Sequence, residues 1–387
     1  MDVRKNPYSP GAGSQPPELA GRRELLEEAD IAIDRTIAGR HARSVIYLGL
    51  RGVGKTVLLN RVTRLASRKD CLTFAIEAPE ERSLPSILVP RLLVVLQQLD
   101  VTAAAKDVIR KARRVLGGFA KAFKLSYEGF EVSLDVDPTA ASGLIEQDLP
   151  ELLVEIGRAA EAGGRAVVFG IDEVQYLSRG DLSALVVGIH RVDQWGLPLL
   201  FFGSGLPQVA ALAGEAKSYA ERLFAYRAVG ALDDEAAREA LVAPADELGV
   251  AYAPGALARI LAETKGYPYF LQEWGKHAWD VATASPITEA DTEVATRRAL
   301  TSLDEGFFGV RYDRLTPREQ DYALAMARLG PGPHGAGAIA EEMGIRVQQA
   351  GPIKASLTKK GMVYSPTHGQ TAFTVPLFDE FVLRRSK

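Results

Sequence analysis

The run from Gly49 to Thr56 has the residue types and the spacing of a phosphate-binding loop, G-x-x-x-x-G-K-[ST]. Glycines let backbone N–H groups turn inward and approach phosphate oxygens closely. The helix that follows directs the positive end of its dipole at the same anion. Lys55 would reach the terminal phosphates of ATP, and the Thr56 hydroxyl would ligate Mg²⁺. The candidate nucleotide-binding residues are Gly49, Arg51, Gly52, Val53, Gly54, Lys55, Thr56 and Val57.

Two acids end an apolar run later in the chain. Asp172 and Glu173 follow Val167–Ile171, which has the composition of a buried strand. At that place the first acid would hold Mg²⁺, partly through water, and the second would orient or deprotonate the attacking water. Ser204 ends the next buried run. Its hydroxyl would touch the γ-phosphate or the attacking water, or would simply occupy a Gly-Ser-Gly turn.

The surrounding pattern predicts the elements that position these residues. Ser44–Leu48 before the loop is a short apolar run typical of a strand, and Val57 to Leu65 continues at helical spacing. Further apolar runs alternate with helical patterns up to about residue 230. The expected fold class is α/β, with a parallel sheet covered on both faces and ligands at the carboxyl ends of its strands.

The second half of the chain is predicted to be helical first and mixed at its end. We expect helices from Asp233 onward, and then helices at about 317–328, 337–343 and 349–360 followed by two short strands. Gly351-Pro352 is expected to interrupt the last of these helices. The predicted domains are an extended arm at 1–20, a P-loop core at 21–230, a helical lid at 231–305 and a winged helix-turn-helix at 306–387.

The stretch at 104–125 interleaves basic and apolar residues. It predicts a basic amphipathic helix, broken at Gly117-Gly118, in an insertion at about 104–145, with a strand or hairpin arm from Tyr127 to Asp135. Its charges are typical of a solvated helix face, and a nucleic-acid or partner contact is the alternative.

Composition limits the classes of function. The chain has 387 residues, 47% hydrophobic and 25% charged, which indicates a globular protein of two or three domains. A net charge of -3 gives no overall reason to expect nucleic acid, so any basic surface must be local. With Cys71 as its single cysteine the chain forms no intrachain disulfide. We expect a cytoplasmic protein without a membrane span.

Together these motifs resemble AAA+ ATPases of the origin-recognition and initiator type, related to the STAND class of prokaryotic P-loop ATPases. The resemblance covers about residues 19–380. It implies a five-stranded parallel sheet, a helical lid, a C-terminal winged helix, and ATP with Mg²⁺ as ligands. It also implies a homo-oligomer, in which Arg222 would act in trans as an arginine finger on a neighbour's active site.

The same resemblance assigns residues around the base of the nucleotide. Gly21 and Arg22 match an N-terminal element that lies against the adenine, although a plain helix start explains them equally well. Gly266-Tyr267-Pro268 resembles the G-x-P element of STAND lids, where Pro268 would pack on the base. Other AAA+ lids carry a sensor arginine at this place, and this chain has none nearby. That departure favours a slow switch over lid-coupled hydrolysis.

The C-terminal region raises the question of DNA binding. Residues 311–387 hold 11 basic and 7 acidic residues, a local excess of positive charge in an acidic chain. In a winged helix the helix after Gly344 would enter the major groove of double-stranded DNA. The candidates for base and phosphate contacts are Arg346, Gln348, Gln349, Lys354 and Lys359. Internal packing of the same helix is the alternative.

Two functions remain open from the sequence. One is a Mg²⁺-dependent ATPase that acts on DNA through its winged helix. The other is a nucleotide-gated signalling or interaction switch whose winged helix packs internally and does not bind DNA.

Overall fold

The computed structural model describes residues 1–11, 13, 16, 19–78, 83–99, 105–125 and 141–386. They form two compact units. One unit consists of 22–49 and 55–229. The other consists of 1–21, 50–54 and 230–387, so the middle of the phosphate-binding loop belongs to it. Each unit is described by itself below.

The first unit is built on a five-stranded parallel sheet with the strand order β2-β3-β4-β1-β5. The strands are β1 (Ser44–Leu48), β2 (Leu72–Glu77), β3 (Val167–Asp172), β4 (Leu199–Gly205) and β5 (Phe224–Ala228). Strands β3 and β4 are buried along their whole length, as expected for central strands covered on both faces. The predicted α/β fold class is confirmed, because a five-stranded parallel sheet is flanked by helices.

Helices cover both faces of the sheet. They are α1 (Arg23–Ile37), α2 (Lys55–Arg68), α3 (Leu84–Gln97), α4 (Lys106–Ala122), α5 (Ile145–Ala162), α6 (Arg179–Gln194), α7 (Val209–Ala216) and α8 (Ala220–Leu223). Aromatic rings of three adjacent strands pack side by side on the sheet; the ring centroid of Phe169 lies 5.3 Å from that of Phe74 and 5.2 Å from that of Phe201. Burial of such side chains contributes about 1.5–3 kcal/mol each.

The basic stretch forms one continuous helix, so the expected break at Gly117-Gly118 is wrong. Helix α4 packs against α3 and α5, and both glycines are buried in that contact. Tertiary packing therefore outweighs the low helix propensity of glycine. Two of the exposed cations make ion pairs, Arg110 with Asp107 and Lys111 with Glu155. The strand expected from Tyr127 to Asp135 lies outside the described residues.

The second unit is largely helical. After residue 230 come α9 (Asp234–Asp246), α10 (Pro254–Thr264), α11 (Pro268–Val281), α12 (Glu289–Ser302), a π-helical turn (Leu303–Phe308) and α13 (Gly309–Tyr312). Asp233 caps α9 as its sequence suggests, because its carboxylate accepts the Ala236 N–H at 2.8 Å.

Its C-terminal part combines helices with a small antiparallel sheet. The helices are α14 (Pro317–Arg328), α15 (Ala336–Glu342), α16 (Val347–Lys359) and α17 (Phe378–Arg385), and the strands are β6 (His334–Gly335), β7 (Val363–Tyr364) and β8 (Gln370–Phe373). The sheet has the order β6-β8-β7. Helix α16 continues through Pro352, so the interruption expected at Gly351-Pro352 is wrong.

The N-terminal residues are not a free extended arm. A 3₁₀ turn at Val3–Lys5 is followed by Tyr8, whose side chain is buried against Gly275 of α11. The Tyr8 hydroxyl accepts a hydrogen bond from Tyr252 at 2.7 Å, and the Asn6 amide donates to Asp280 at 2.7 Å. This segment therefore packs on the helices of its own unit, which its Pro- and Gly-rich sequence does not indicate. No helix in the described ranges is both long and apolar enough to cross a bilayer.

Candidate active site

The candidate chemical groups of the first unit meet at the carboxyl edge of its sheet. Ser204 pairs with Tyr47 in the register of β4 and β1, and Ile171 pairs with Gly203 in that of β3 and β4. The ends of these three neighbouring strands therefore lie at one level. The phosphate-binding loop begins one residue after β1, and the Gly49 N–H donates to the Gly205 carbonyl at 3.0 Å.

Asp172 is the centre of the hydrogen-bond network at this edge. Its carboxylate accepts from the Thr56 hydroxyl at 2.5 Å, from the backbone N–H of Glu173 at 2.9 Å, and from the Ser204 hydroxyl. The side chain is buried, and such charge-assisted bonds satisfy a buried carboxylate. The two predicted magnesium-holding residues, Thr56 and Asp172, are thus in direct contact.

Ser204 lies near the end of β4, and its predicted contact with the γ-phosphate or the attacking water stays a prediction. It is fully buried and donates to Asp172, so its hydroxyl supports the predicted magnesium-holding acid. The register of β4 beside β3 produces this arrangement, because Ser204 follows the residue that faces Ile171.

Glu173 lies immediately beyond the strand in a left-handed backbone conformation, with φ 53° and ψ 42°. Such a conformation is uncommon for a residue with a side chain and is enriched at functional sites. A 3₁₀ turn, Val174–Tyr176, follows it. The side-chain amide of Gln175 donates to the Glu173 carboxylate, a contact that no sequence motif indicates.

Four other predicted residues of this unit lie on or beside its helices. Lys55 begins α2 and is buried, and Val57 follows in the first turn of the same helix. Arg22 precedes α1 and is also buried. Arg222 lies on the short helix α8 before β5, with its side chain exposed.

The middle of the phosphate-binding loop is held by residues of the second unit, to which it belongs. Gly52 and Gly54 have φ values of 84° and 91°, which glycine adopts without strain. The Gly52 carbonyl accepts the Tyr269 N–H at 3.2 Å, and the Arg51 carbonyl accepts the Tyr267 hydroxyl. The Arg51 N–H donates to the Thr374 carbonyl, one residue after β8, at 3.2 Å. Val53 is buried.

The predicted base-binding residues of this unit lie at the start of helical elements. Pro268 is at the first turn of α11, where proline is favoured, next to buried Tyr267. Gly21 has φ 64° and lies against Ala236 and Leu232. Their roles toward a base remain predictions.

The predicted DNA-contacting residues fall into two groups. Arg346, Gln348 and Lys359 are exposed on or beside α16. The other two make hydrogen bonds within the C-terminal region. The Gln349 side chain accepts the Arg346 N–H at 3.0 Å, and the Lys354 ammonium donates to the Gln370 carbonyl at 3.0 Å. Burial lowers the pKa of Lys354.

Metal coordination by protein carboxylates alone is not indicated. Among residues 1–11, 13, 16, 19–78, 83–99, 105–125 and 141–386, no group of three or more His, Cys, Asp and Glu side chains is placed to hold a metal ion. Mg²⁺ commonly takes one or two carboxylates together with phosphate and water, so the Thr56–Asp172 pair fits that ion.

Two family models match parts of this chain. Residues 18–202 match the family model of the AAA ATPase domain, and residues 305–382 match a domain of unknown function (DUF8462). No curated protein matches the chain in sequence.

Among solved structures, the Walker-type ATPase PABY2304 of Pyrococcus abyssi is similar with a TM-score of 0.58 and 17% identity, covering 95% of this chain and 97% of that one. The Aeropyrum pernix ORC1 protein in complex with DNA has a TM-score of 0.49 at 14% identity, covering 96% and 94%. The Thermotoga maritima RuvB Holliday junction branch migration motor has 0.46 at 14% identity, covering 91% and 92%. The AAA ATPase domain match therefore includes the phosphate-binding loop, Asp172 and Glu173, and ends before Ser204. The fold is shared with a Walker-type ATPase.

Proposed function

We propose that the protein hydrolyses ATP in a Mg²⁺-dependent reaction at the edge of the parallel sheet. The observation that carries the proposal is the 2.5 Å contact between the Thr56 hydroxyl and the Asp172 carboxylate, next to Lys55 and the following Glu173. Mg²⁺, when bound, neutralises charge on the β- and γ-phosphates.

Each residue of the proposed site has its own role in the reaction. Lys55 contacts the terminal phosphates, Thr56 and Asp172 hold the metal, and Ser204 holds Asp172. Glu173 accepts a hydrogen bond from the attacking water and orients it in line with the γ-phosphate. Positioned general bases contribute about 10²- to 10⁴-fold to the rate.

A matched pair of threonines tests the metal assignment. Thr56 and Thr63 both lie on α2, but the Thr63 hydroxyl donates to the Leu59 carbonyl of its own helix at 2.9 Å. Thr56→Ala should lower phosphate release from ATP about tenfold or more and raise the Mg²⁺ concentration needed for half-maximal rate. Thr63→Ala should remain within twofold of the wild type. Undiminished turnover by the wild-type protein in excess EDTA would remove the proposal.

We propose further that Arg222 acts in trans within a homo-oligomer. Its exposed position on α8 supports this, because a cation supplied by a neighbour must be accessible. Arg222→Ala and Lys55→Ala are each expected to be inactive. A mixture of the two should recover activity, since an Arg222→Ala chain keeps its own phosphate-binding loop and receives Arg222 from its partner. A mixture no more active than its components would exclude action in trans.

For the C-terminal region we propose a winged helix that contacts double-stranded DNA through Arg346, Gln348 and Lys359. Their exposure on one helix supports the assignment. The test is binding of the full-length chain to a duplex over a range of salt concentrations. Affinity should fall as salt rises, and the absence of binding at low salt would remove the DNA role.

A specific observation favours the second candidate, a nucleotide-gated switch. Within the second unit, the loop residues Arg51 and Gly52 are bonded by Tyr267, Tyr269 and the Thr374 carbonyl. These contacts give the C-terminal region a direct connection to the loop that would hold the nucleotide, so a nucleotide-dependent loop conformation would be transmitted to it.

Two neighbouring tyrosines allow a matched test of the switch. Tyr267 contacts Arg51 through its hydroxyl, whereas Tyr269 contacts Gly52 through its backbone N–H. Tyr267→Phe should therefore change the rate of ADP release about fivefold, equivalent to one hydrogen bond, while Tyr269→Phe should not. Equal ADP release from both variants and the wild type would argue against the switch.

A further inference from the structure

Gln175 has a half-buried side chain to which the proposed mechanism of ATP hydrolysis assigns no role. It lies in the 3₁₀ turn directly after Glu173. Its amide nitrogen donates to the Glu173 carboxylate, and its amide oxygen accepts the backbone N–H of Leu206 at 3.0 Å. Leu206 is the first residue after β4. Gln175 therefore connects the proposed catalytic acid to the end of the neighbouring strand.

The two contacts fix the orientation of the amide. The Leu206 N–H is a donor and requires the oxygen end, which leaves only the nitrogen end for the carboxylate, an acceptor. A glutamine in this place cannot rotate its amide by 180° without placing donor against donor and acceptor against acceptor. The bond to Leu206 thus keeps the Gln175 amide nitrogen directed at the Glu173 carboxylate.

Gly205 provides the room for this arrangement. A Cβ atom at this position would lie 2.6 Å from the Gln175 amide oxygen and 2.7 Å from a methyl carbon of Val209, both too close for ordinary contacts. The absence of a side chain at the end of β4 therefore lets the Gln175 amide approach the strand. The Gln175 side chain therefore packs closely against the end of β4, at a position that only glycine leaves open.

The contacts of the Glu173 backbone do not position its carboxylate. Its left-handed conformation turns the chain away from the strand direction, and the Tyr176 N–H donates to the Glu173 carbonyl at 2.9 Å. These features fix the backbone but leave the side-chain torsions of Glu173 undetermined. A carboxylate that must orient one water molecule needs a fixed position, because a displacement of about 1 Å costs about 10²-fold in rate.

We infer that Gln175 is the positioning residue for the Glu173 carboxylate, holding it for the attacking water and tying it to the end of β4. The segment after Leu206 leads through α7 to α8, which carries Arg222. The hydrogen bonds of Gln175 therefore connect Glu173 to the end of β4, and the chain continues from there to the proposed trans-acting residue, Arg222. This inference rests on the proposed ATP hydrolysis for its kinetic consequence and on the contacts alone for its geometry.

Two substitutions of Gln175 distinguish a role in positioning the Glu173 carboxylate from a role only in holding the backbone after β4. Gln175→Leu removes both hydrogen bonds. Gln175→Glu keeps an oxygen to accept the Leu206 N–H, but it loses the donor to Glu173 and places a like charge beside it. Gln208→Leu, three residues beyond Gly205, is the matched control because it makes the same change at another half-buried glutamine of the neighbouring segment.

The experiment measures ATP turnover and amide hydrogen exchange in full-length protein. Both Gln175 variants should lower kcat about 10- to 100-fold while the KM for ATP stays within about threefold, and Gln208→Leu should match the wild type. Exchange of the Leu206 amide should increase about tenfold in Gln175→Leu and stay at the wild-type rate in Gln175→Glu. In the Glu173→Gln background, Gln175→Leu should reduce the residual rate no further, since Gln175 acts through Glu173.

The outcomes are distinct. A wild-type kcat in Gln175→Glu with a protected Leu206 amide would show that Gln175 only anchors the loop, and the inference would be overturned. Unchanged Leu206 exchange in Gln175→Leu would overturn the contact itself. If the wild-type protein releases no phosphate from Mg²⁺-ATP, the proposed function fails, and the exchange measurement still decides whether the Gln175 contact exists.

Discussion

The network around Asp172 and the exposed face of α16 are both sites predicted from sequence, and they differ in what their side chains contact. Thr56, Ser204 and the Glu173 N–H all bond to one buried carboxylate. On α16, in contrast, Arg346, Gln348 and Lys359 point to solvent, while Lys354 is bonded to the Gln370 carbonyl.

The difference shows what each kind of sequence signal can specify. A motif that follows a buried strand fixes where its side chain lies, because the register of the sheet leaves one position for it. The basic residues counted along a helix specify its charge, but they do not show which side chains are free to contact a ligand. A backbone carbonyl nearby can accept a hydrogen bond from the same side chain, as Gln370 does from Lys354. Nearby acids also engage some of the basic residues: Lys360 pairs with Glu319, Arg384 with Asp304 and Arg385 with Asp313.

The largest effect in this comparison is expected from Asp172→Asn. An amide would present a donor where the carboxylate accepts, leaving at least one of its three donors without a partner. Turnover of ATP should fall about 100-fold or more, since these are charge-assisted bonds at the proposed metal site. Asp107→Asn on the exposed surface of α4 is the control and should leave turnover unchanged. Comparable rates in both variants would show that the network does not serve catalysis.

A smaller effect is expected from the acid that supports the C-terminal helices. Burial alone would raise the pKa of Glu319, but hydrogen bonds from Lys360, Ser356 and the Thr316 N–H outweigh it and lower the pKa to about 2. A carboxyl whose pKa is lower in the folded state stabilises the fold above its unfolded pKa of about 4.5. That contribution is lost as the pH falls toward 2.

Denaturant unfolding followed by the fluorescence of Trp274 and Trp279, in a Trp195→Phe background, measures this contribution. The free energy of unfolding of the second unit should fall by about 2 kcal/mol between pH 5 and pH 2. Glu319→Gln should lack this part of the pH dependence, and Glu380→Gln, at an exposed acid of α17, should retain it. An identical pH profile for Glu319→Gln and the wild type would contradict the assignment.

The smallest effects are expected on the α16 face, where they sharpen the choice between DNA binding and internal packing. The double variant Arg346→Ala and Lys359→Ala should weaken duplex binding about tenfold at low salt and lower the salt dependence by about two phosphate contacts. Lys354→Ala should change affinity less than twofold, because its ammonium is already bonded. Arg238→Ala, exposed on α9, is the control for net charge. A larger loss from Lys354→Ala than from the double variant would reverse the assignment.

Much of the first unit could be predicted from sequence because its signals are local. The loop at 49–56, the acids at the end of β3 and the alternation of strands with helices each depend on neighbouring residues. The contacts that the sequence did not reveal join residues far apart. Ser204 meets Asp172 only through the pairing of β4 with β3, and Tyr8 meets Tyr252 across the second unit.

Local propensity also misled in two helices. Gly117-Gly118 and Pro352 are helix breakers by type, yet α4 and α16 continue through them. For α4 the burial of its apolar side against α3 and α5 outweighs the local cost. Gln175 had a weak signal, an amide two residues after the second acid, but its partner Leu206 becomes apparent only in the folded sheet.

The central claim is that Glu173 activates water for hydrolysis of ATP at this sheet edge, and one measurement tests it most directly. Nucleotide binding and phosphate release are measured together in the wild type, in Glu173→Gln, and in Glu161→Gln, an exposed acid of α5. We expect Glu173→Gln to bind ATP with wild-type affinity while its turnover falls about 10²- to 10⁴-fold, and Glu161→Gln to behave as the wild type. Turnover by Glu173→Gln at the wild-type rate would contradict the account.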